Sequence, residues 1–104
     1  MTPENMSAIE REAIAHYGPS RQLIKAVEEL CELGQALSKH IAATGDEARR
    51  TALSAIYEEM ADVEIMLDQL RILFPDAPDR VAWWKRQKLT RLFDRIMTER
   101  GGRR

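Results

Sequence analysis

The sequence has one cysteine, Cys31, so count alone excludes both an intramolecular disulfide and a Cys-rich zinc site. Its uninterrupted apolar stretches are only a few residues long, too short to span a bilayer. The N-terminus MTPENMSAIERE lacks the basic start and apolar middle of a signal peptide. A soluble, cytoplasmic protein with no membrane partner is the expectation. Strand signals are nearly missing as well, because β-branched residues are scattered and no segment alternates apolar with polar for long. With only five Gly and four Pro in 104 residues, the chain is neither collagen-like nor a low-complexity tail. What is present, 44% hydrophobic and 32% charged residues, suits a single compact domain over 1–104.

The formal net charge of -1 hides an uneven distribution. From Met1 to Asp79 there are 7 basic and 15 acidic residues, a net of -8, whereas Arg80 to Arg104 holds 9 basic and 2 acidic, a net of +7. Such a split fits a cation site and an anion site built side by side, or a polyanionic partner for the basic end. No sequence-reading motif accompanies the basic end, so nucleic acid is not the expected partner.

Helix signals dominate. Thr2-Pro3-Glu4 supplies an N-cap, a proline at the first helical position and an early acid, and this helix should run to about Tyr17, where Gly18-Pro19 stops it. Ser20 is placed to cap a second helix whose apolar stripe is Leu23, Val27, Leu30, Gly34, Leu37 and Ile41, with Gly34 permitting close helix approach. After Thr44-Gly45, Asp46 should cap a third helix with the stripe Leu53, Ile56, Met60, Val63, Leu67, Leu70 and Phe74. Pro75 to Asp79 breaks it, and a fourth helix should follow from about Asp79 to Arg100 with Leu89, Leu92, Phe93, Ile96 and Met97 as its apolar side. The expected class is therefore all-α with about four helices. Residues 1–19 form an N-terminal helix, 20–100 the helical core and 101–104 a flexible tail. Helices two and three, joined by a short turn, should form a long antiparallel hairpin. One hairpin cannot cover both its seams, so a second copy should complete a four-helix bundle, as a dimer or tetramer.

Two acidic pairs lie on the hairpin, Glu29 with Glu32 and Glu59 with Asp62. Residues three apart on a helix are surface neighbours, so each pair can present two carboxylates to one point. In an antiparallel hairpin, residues at equal height have numbers with a constant sum. Glu29 with Asp62 and Glu32 with Glu59 share that sum, and it places the turn centre between Gly45 and Asp46, where the breaker residues independently put it. Four converging carboxylates form a hard-oxygen cage suited to Mg²⁺ or Mn²⁺. A di-iron bundle needs Glu-x-x-His pairs, and neither His16 nor His40 stands three residues after a Glu.

These residues resemble the all-α nucleoside triphosphate pyrophosphohydrolases of the MazG type. The resemblance is carried by Glu29-Leu-Cys-Glu32, a gap of 26 residues, Glu59-Met-Ala-Asp62, and Lys88-Leu-Thr-Arg91 on a later helix. Flanking words, Gln22-Leu-Ile-Lys25-Ala-Val-Glu28-Glu29 and Ala61-Asp62-Val63, extend it from about Gln22 to Ile96. It implies a homodimeric or tetrameric bundle that hydrolyses a nucleoside triphosphate to the monophosphate and pyrophosphate. Glu29, Glu32, Glu59 and Asp62 would hold Mg²⁺, and Lys88 and Arg91 would contact the phosphates. Some members also carry an Asn near the late basic motif, which this chain lacks after Asn5. The general base is unassigned. The competing expectation is a catalytically silent helical dimerisation or regulatory module that binds a nucleotide or a protein.

Lys85, Lys88, Arg91 and Arg95 form one basic stripe, in which Lys88 and Arg91 are the stronger candidates. Glu28 and Glu58 should be solvated or ion-paired. Trp83, Trp84 and Tyr17 are expected to pack in a core or dimer seam, with stacking on a nucleobase as their functional alternative. Cys31 is expected to be a small buried hydrophobe, His16 and His40 surface residues near helix ends, Met60 core, and Met66 core or dimer seam.

Overall fold

The computed structural model describes residues 1–101, which are all-helical: α1 (Pro3–Tyr17), α2 (Pro19–Ala42), α3 (Asp46–Leu73) and α4 (Ala77–Gly101). Gly101 closes α4, and the rest of the expected tail, 102–104, lies outside the described residues. No helix among the described residues is long and apolar enough to cross a membrane. The chain divides into two units, Met1–Leu73 and Phe74–Arg104.

Local chemistry explains the helix boundaries. Thr2 caps α1 in a capping box: its hydroxyl accepts from the Asn5 backbone N–H at 3.1 Å, and Asn5 Oδ1 accepts in return from the Thr2 N–H. Helix α2 starts two residues earlier than a Ser20 cap implies, because Gly18 at φ 90° takes the cap position and Pro19 suits the first helical residue, where no N–H is needed. Similarly, Asp46 is the first residue of α3 rather than its cap, and Gly45 at φ 88° makes the turn. Pro78 fits within the first turn of α4, which allows that helix to begin at Ala77. A Cβ at Gly45 would meet no other atom, so Gly45→Ala isolates the backbone cost of a left-handed turn. It should lower stability by about 1–2 kcal/mol, read as a shift in urea midpoint at constant m.

Within the first unit, α2 and α3 form the expected antiparallel hairpin and α1 packs against both. Gln22 Nε2 donates to Gln69 Oε1 at 2.7 Å, and these two residues obey the same constant sum as the acidic pairs. The hairpin register inferred from the carboxylates is thus the observed one.

The face that α2 turns inward is not its apolar stripe. Gln22, Ala26, Glu29 and Ala36 are buried, and Leu33 and His40 are half-buried between and beyond them, at steps of four and three. The stripe one residue further on, Leu23, Val27, Leu30, Leu37 and Ile41, is exposed, with Ile41 at 84%. On α3 the outcome is mixed: Ile56 and Val63 are buried and Leu70 half-buried, but Leu53, Met60, Leu67 and Phe74 are exposed. Met60 is therefore not core, whereas Met66 is, at 5% exposure. Cys31 is exposed rather than a buried hydrophobe, because it follows Leu30 on the outward side. Gly34 is exposed with open space around its Cβ direction, so it permits no close approach within the chain. Small residues at Ala26 and Ala36 let the helices approach without filling the seam. Ile56, Val63 and Met66 supply most of the buried apolar surface, roughly 1.5–3 kcal/mol each.

Helix α4 stands in the second unit with no buried residue. Trp83 and Trp84 are half-exposed and meet edge to face, ring centroids 4.9 Å apart, so neither is a core residue there. The basic side chains Lys85, Lys88, Arg91 and Arg95 are all exposed along it.

Candidate functional site

The hairpin register brings acids from facing turns together. Glu29 on α2 and Glu59 and Asp62 on α3 each offer an oxygen, and these three atoms lie within 4.8 Å of one another. Glu29 is 95% withdrawn from solvent, and Glu59 and Asp62 are half-buried. Glu32 is more exposed and stands beside Glu59, close enough to share a hydrogen bond and to repel its charge.

This crowding is electrostatically unfavourable. Partial desolvation holds the Glu59 carboxyl above its ordinary pKa, and the charges of Glu32, Asp62 and Glu29 push it further. Asp62 is raised too, by desolvation first and then by Glu29. Among the described residues Lys25 is the one cation in contact: its Nζ lies 3.2 Å from Glu29 Oε1 and 3.6 Å from Glu28. Its own pKa is raised, chiefly by Glu29. Lys25 engages Glu29 Oε1 only, and Glu29 Oε2 and Glu59 Oε2 are sealed from solvent without a hydrogen-bond partner. Buried carboxylate oxygens without partners are costly, and a hard divalent cation satisfies several at once. The donor set is all oxygen, from two helices, and fits Mg²⁺ or Mn²⁺ better than a soft metal.

Of the six residues expected to form the site, Glu29, Glu59 and Asp62 come together and Glu32 flanks them. Lys88 and Arg91 lie on α4, in the other unit, three residues apart and exposed. Glu28 and Glu58 are exposed, Glu28 in its ion pair with Lys25, in line with the expectation for both. His16 is exposed at the end of α1, but His40 is half-buried with Nδ1 sealed and unpartnered, which corrects its assignment to the surface.

Beside the acids a cavity of about 580 Å³ opens along α2 and α3 toward Tyr17, between Lys25, Gln22, Met66 and Gln69. Arg21 lies over the Tyr17 ring at 5.3 Å from its centroid. Sequence reasoning missed Gln22 and Gln69 as part of this region. The available signal was their spacing, since each stands seven residues from a carboxylate on its own helix and the two obey the hairpin sum. No protein family matches the chain, and neither a curated protein nor a solved structure shows a significant match to it.

Proposed function

We propose that the chain is a Mg²⁺-dependent nucleoside triphosphate pyrophosphohydrolase of the MazG type, acting on an NTP or dNTP to give the monophosphate and pyrophosphate. The observation that carries this reading is the meeting of Glu29, Glu59 and Asp62 on the buried side of the hairpin, two of them with sealed, unpartnered oxygens. Glu29, Glu59 and Asp62, with Glu32 at the edge, would hold the metal. Bound Mg²⁺ supplies charge neutralisation for a polyanionic substrate and lowers the pKa of a coordinated water. Lys25 holds Glu29 through Oε1, and Glu29 Oε2 is buried without a hydrogen-bond partner. Lys88 and Arg91, on a helix whose segment carries most of the chain's positive charge, would hold phosphate oxygens. A test is pyrophosphate release from a panel of canonical and modified ribo- and deoxynucleoside triphosphates with Mg²⁺, with Mn²⁺ and with chelator. Metal-dependent release abolished by chelator is the expected result. Silence of the folded, oligomeric protein on the whole panel would move the reading to a nucleotide- or protein-binding module.

The same proposal includes a second copy of the chain. Leu23, Val27, Leu30, Leu37 and Ile41 make a continuous exposed apolar stripe on α2, larger than solvated helices ordinarily present. A homodimer or tetramer would cover it. Leu30→Glu places a charge in the middle of that stripe without touching the buried seam. The expected outcome in analytical ultracentrifugation is a shift from oligomer to monomer; an unchanged sedimentation coefficient would count against the stripe as the interface.

A further inference from the structure

Deeper along the same seam lies a second polar pair that the carboxylate chemistry does not use. Gln22 and Gln69 are 7% and 3% exposed and joined by the 2.7 Å bond from Gln22 Nε2 to Gln69 Oε1. Each amide has capacity left. Gln22 Oε1 and Gln69 Nε2 have no partner among the described residues, and neither is sealed off, since both side chains line the cavity that reaches Glu29 and Asp62. Leucine at both positions would serve a helix seam at lower desolvation cost. The amides instead set an acceptor beside a donor on the floor of the cavity. Neighbouring donor and acceptor groups are what the edge of a heterocyclic base presents.

The spacing matches a nucleotide. Gln22 precedes Glu29 by seven residues and Gln69 follows Asp62 by seven, so amides and carboxylates share a face on each helix, about 10 Å apart along the axis. The hydrogen-bonding edge of a nucleobase and the α-phosphate of the same nucleotide, with the ring and the sugar between them, stand a comparable distance apart. We propose that Gln22 and Gln69 are the base-recognition pair of this protein, holding a nucleobase by its hydrogen-bonding edge at the end of the cavity away from the metal-binding acids. This inference rests on the nucleotide reading of the carboxylate cluster.

The test is equilibrium binding of nucleoside 5′-monophosphates carrying different bases, with and without Mg²⁺, against ribose 5-phosphate, which has no base. Two variants are compared with the wild type after a circular-dichroism check. Gln69→Glu keeps the shape and removes a donor, and the double variant Gln22→Leu, Gln69→Leu removes both amides and puts apolar side chains in the seam. The expected result is tighter binding of at least one monophosphate than of ribose 5-phosphate, with that preference reduced about 10- to 100-fold in both variants and ribose 5-phosphate binding unchanged. Equal binding of all ligands by the wild type, or an unchanged preference in the folded variants, overturns the inference. Pyrophosphate release is measured in parallel. Base discrimination without turnover keeps this pair's role and removes the hydrolase reading, whereas turnover without base discrimination does the reverse.

Discussion

Replacing Glu59 by Gln is expected to lower metal-dependent pyrophosphate release at least about 100-fold and, in metal-free buffer, to raise the unfolding midpoint. The two effects have one cause. Glu59 sits among Glu29, Glu32 and Asp62, and desolvation together with these like charges raises its pKa above the ordinary carboxylate value. An acid raised in this way favours folding less when ionised, so its neutral isostere relieves repulsion in the folded chain. The same substitution removes a hard-oxygen donor from the cluster. Mg²⁺ should stabilise the wild type by mass action and leave Glu59→Gln nearly unaffected at the same concentration. Thermal melts with chelator and with Mg²⁺, paired with turnover of the same two proteins, check all of this. A variant that loses metal-free stability would overturn the repulsion at Glu59, and one that retains full Mg²⁺ stabilisation would remove Glu59 from the ligand set.

The largest pH effect is expected from a residue outside the site. Glu10 lies between α1 and α3, buried, with Oε2 sealed and unpartnered. Burial raises its pKa to about 7, and Asp68 of α3 adds to the shift through a shared hydrogen bond and through its charge. Arg71 is drawn to Asp68 at 3.6 Å on the same helix and lines the shallow pocket with both acids. Between the ordinary carboxylate value and about pH 7 the folded chain keeps a proton on Glu10 that the unfolded chain has released. Stability therefore falls as pH rises through this window and recovers on acidification, until the remaining carboxylates titrate. Glu59 and Asp62, both raised, act in the same direction. Glu10→Gln should stabilise the chain by roughly 2–3 kcal/mol at pH 8 and by almost nothing near pH 4.5, which flattens the stability profile. Urea denaturation across that range is the measurement. A variant with the wild-type slope would show that Glu10 titrates normally.

The helical class, the breaker positions and the hairpin register were all legible in the sequence, the register because two acidic pairs share one sum with a turn at Gly45. The Gln22 to Gln69 hydrogen bond obeys the same sum independently. The inward face of α2 was not legible. Periodicity finds the most apolar stripe, and on α2 that stripe points outward while Gln22, Glu29 and His40 interrupt the inward one. A seam that holds polar groups is invisible to an apolar count. On α3 the apolar count likewise takes in Met60, which adjoins the inward Glu59 but is exposed, whereas the expectation for Cys31 rests on its being a small hydrophobe and the outward side of α2 overrides it. Glu10 carried no signal, since a lone glutamate on a short helix has the pattern of a solvated one.

The residues assigned to metal and base lie between Gln22 and Gln69, on two consecutive helices with only Ala43 to Gly45 between them. A pairing so local in the chain closes with little loop entropy and belongs to the fast end of folding rates. During synthesis from the N-terminus, the first unit, Met1–Leu73, is complete before α4 has left the ribosome. The acidic unit therefore folds while most of the chain's positive charge is still inside the ribosome.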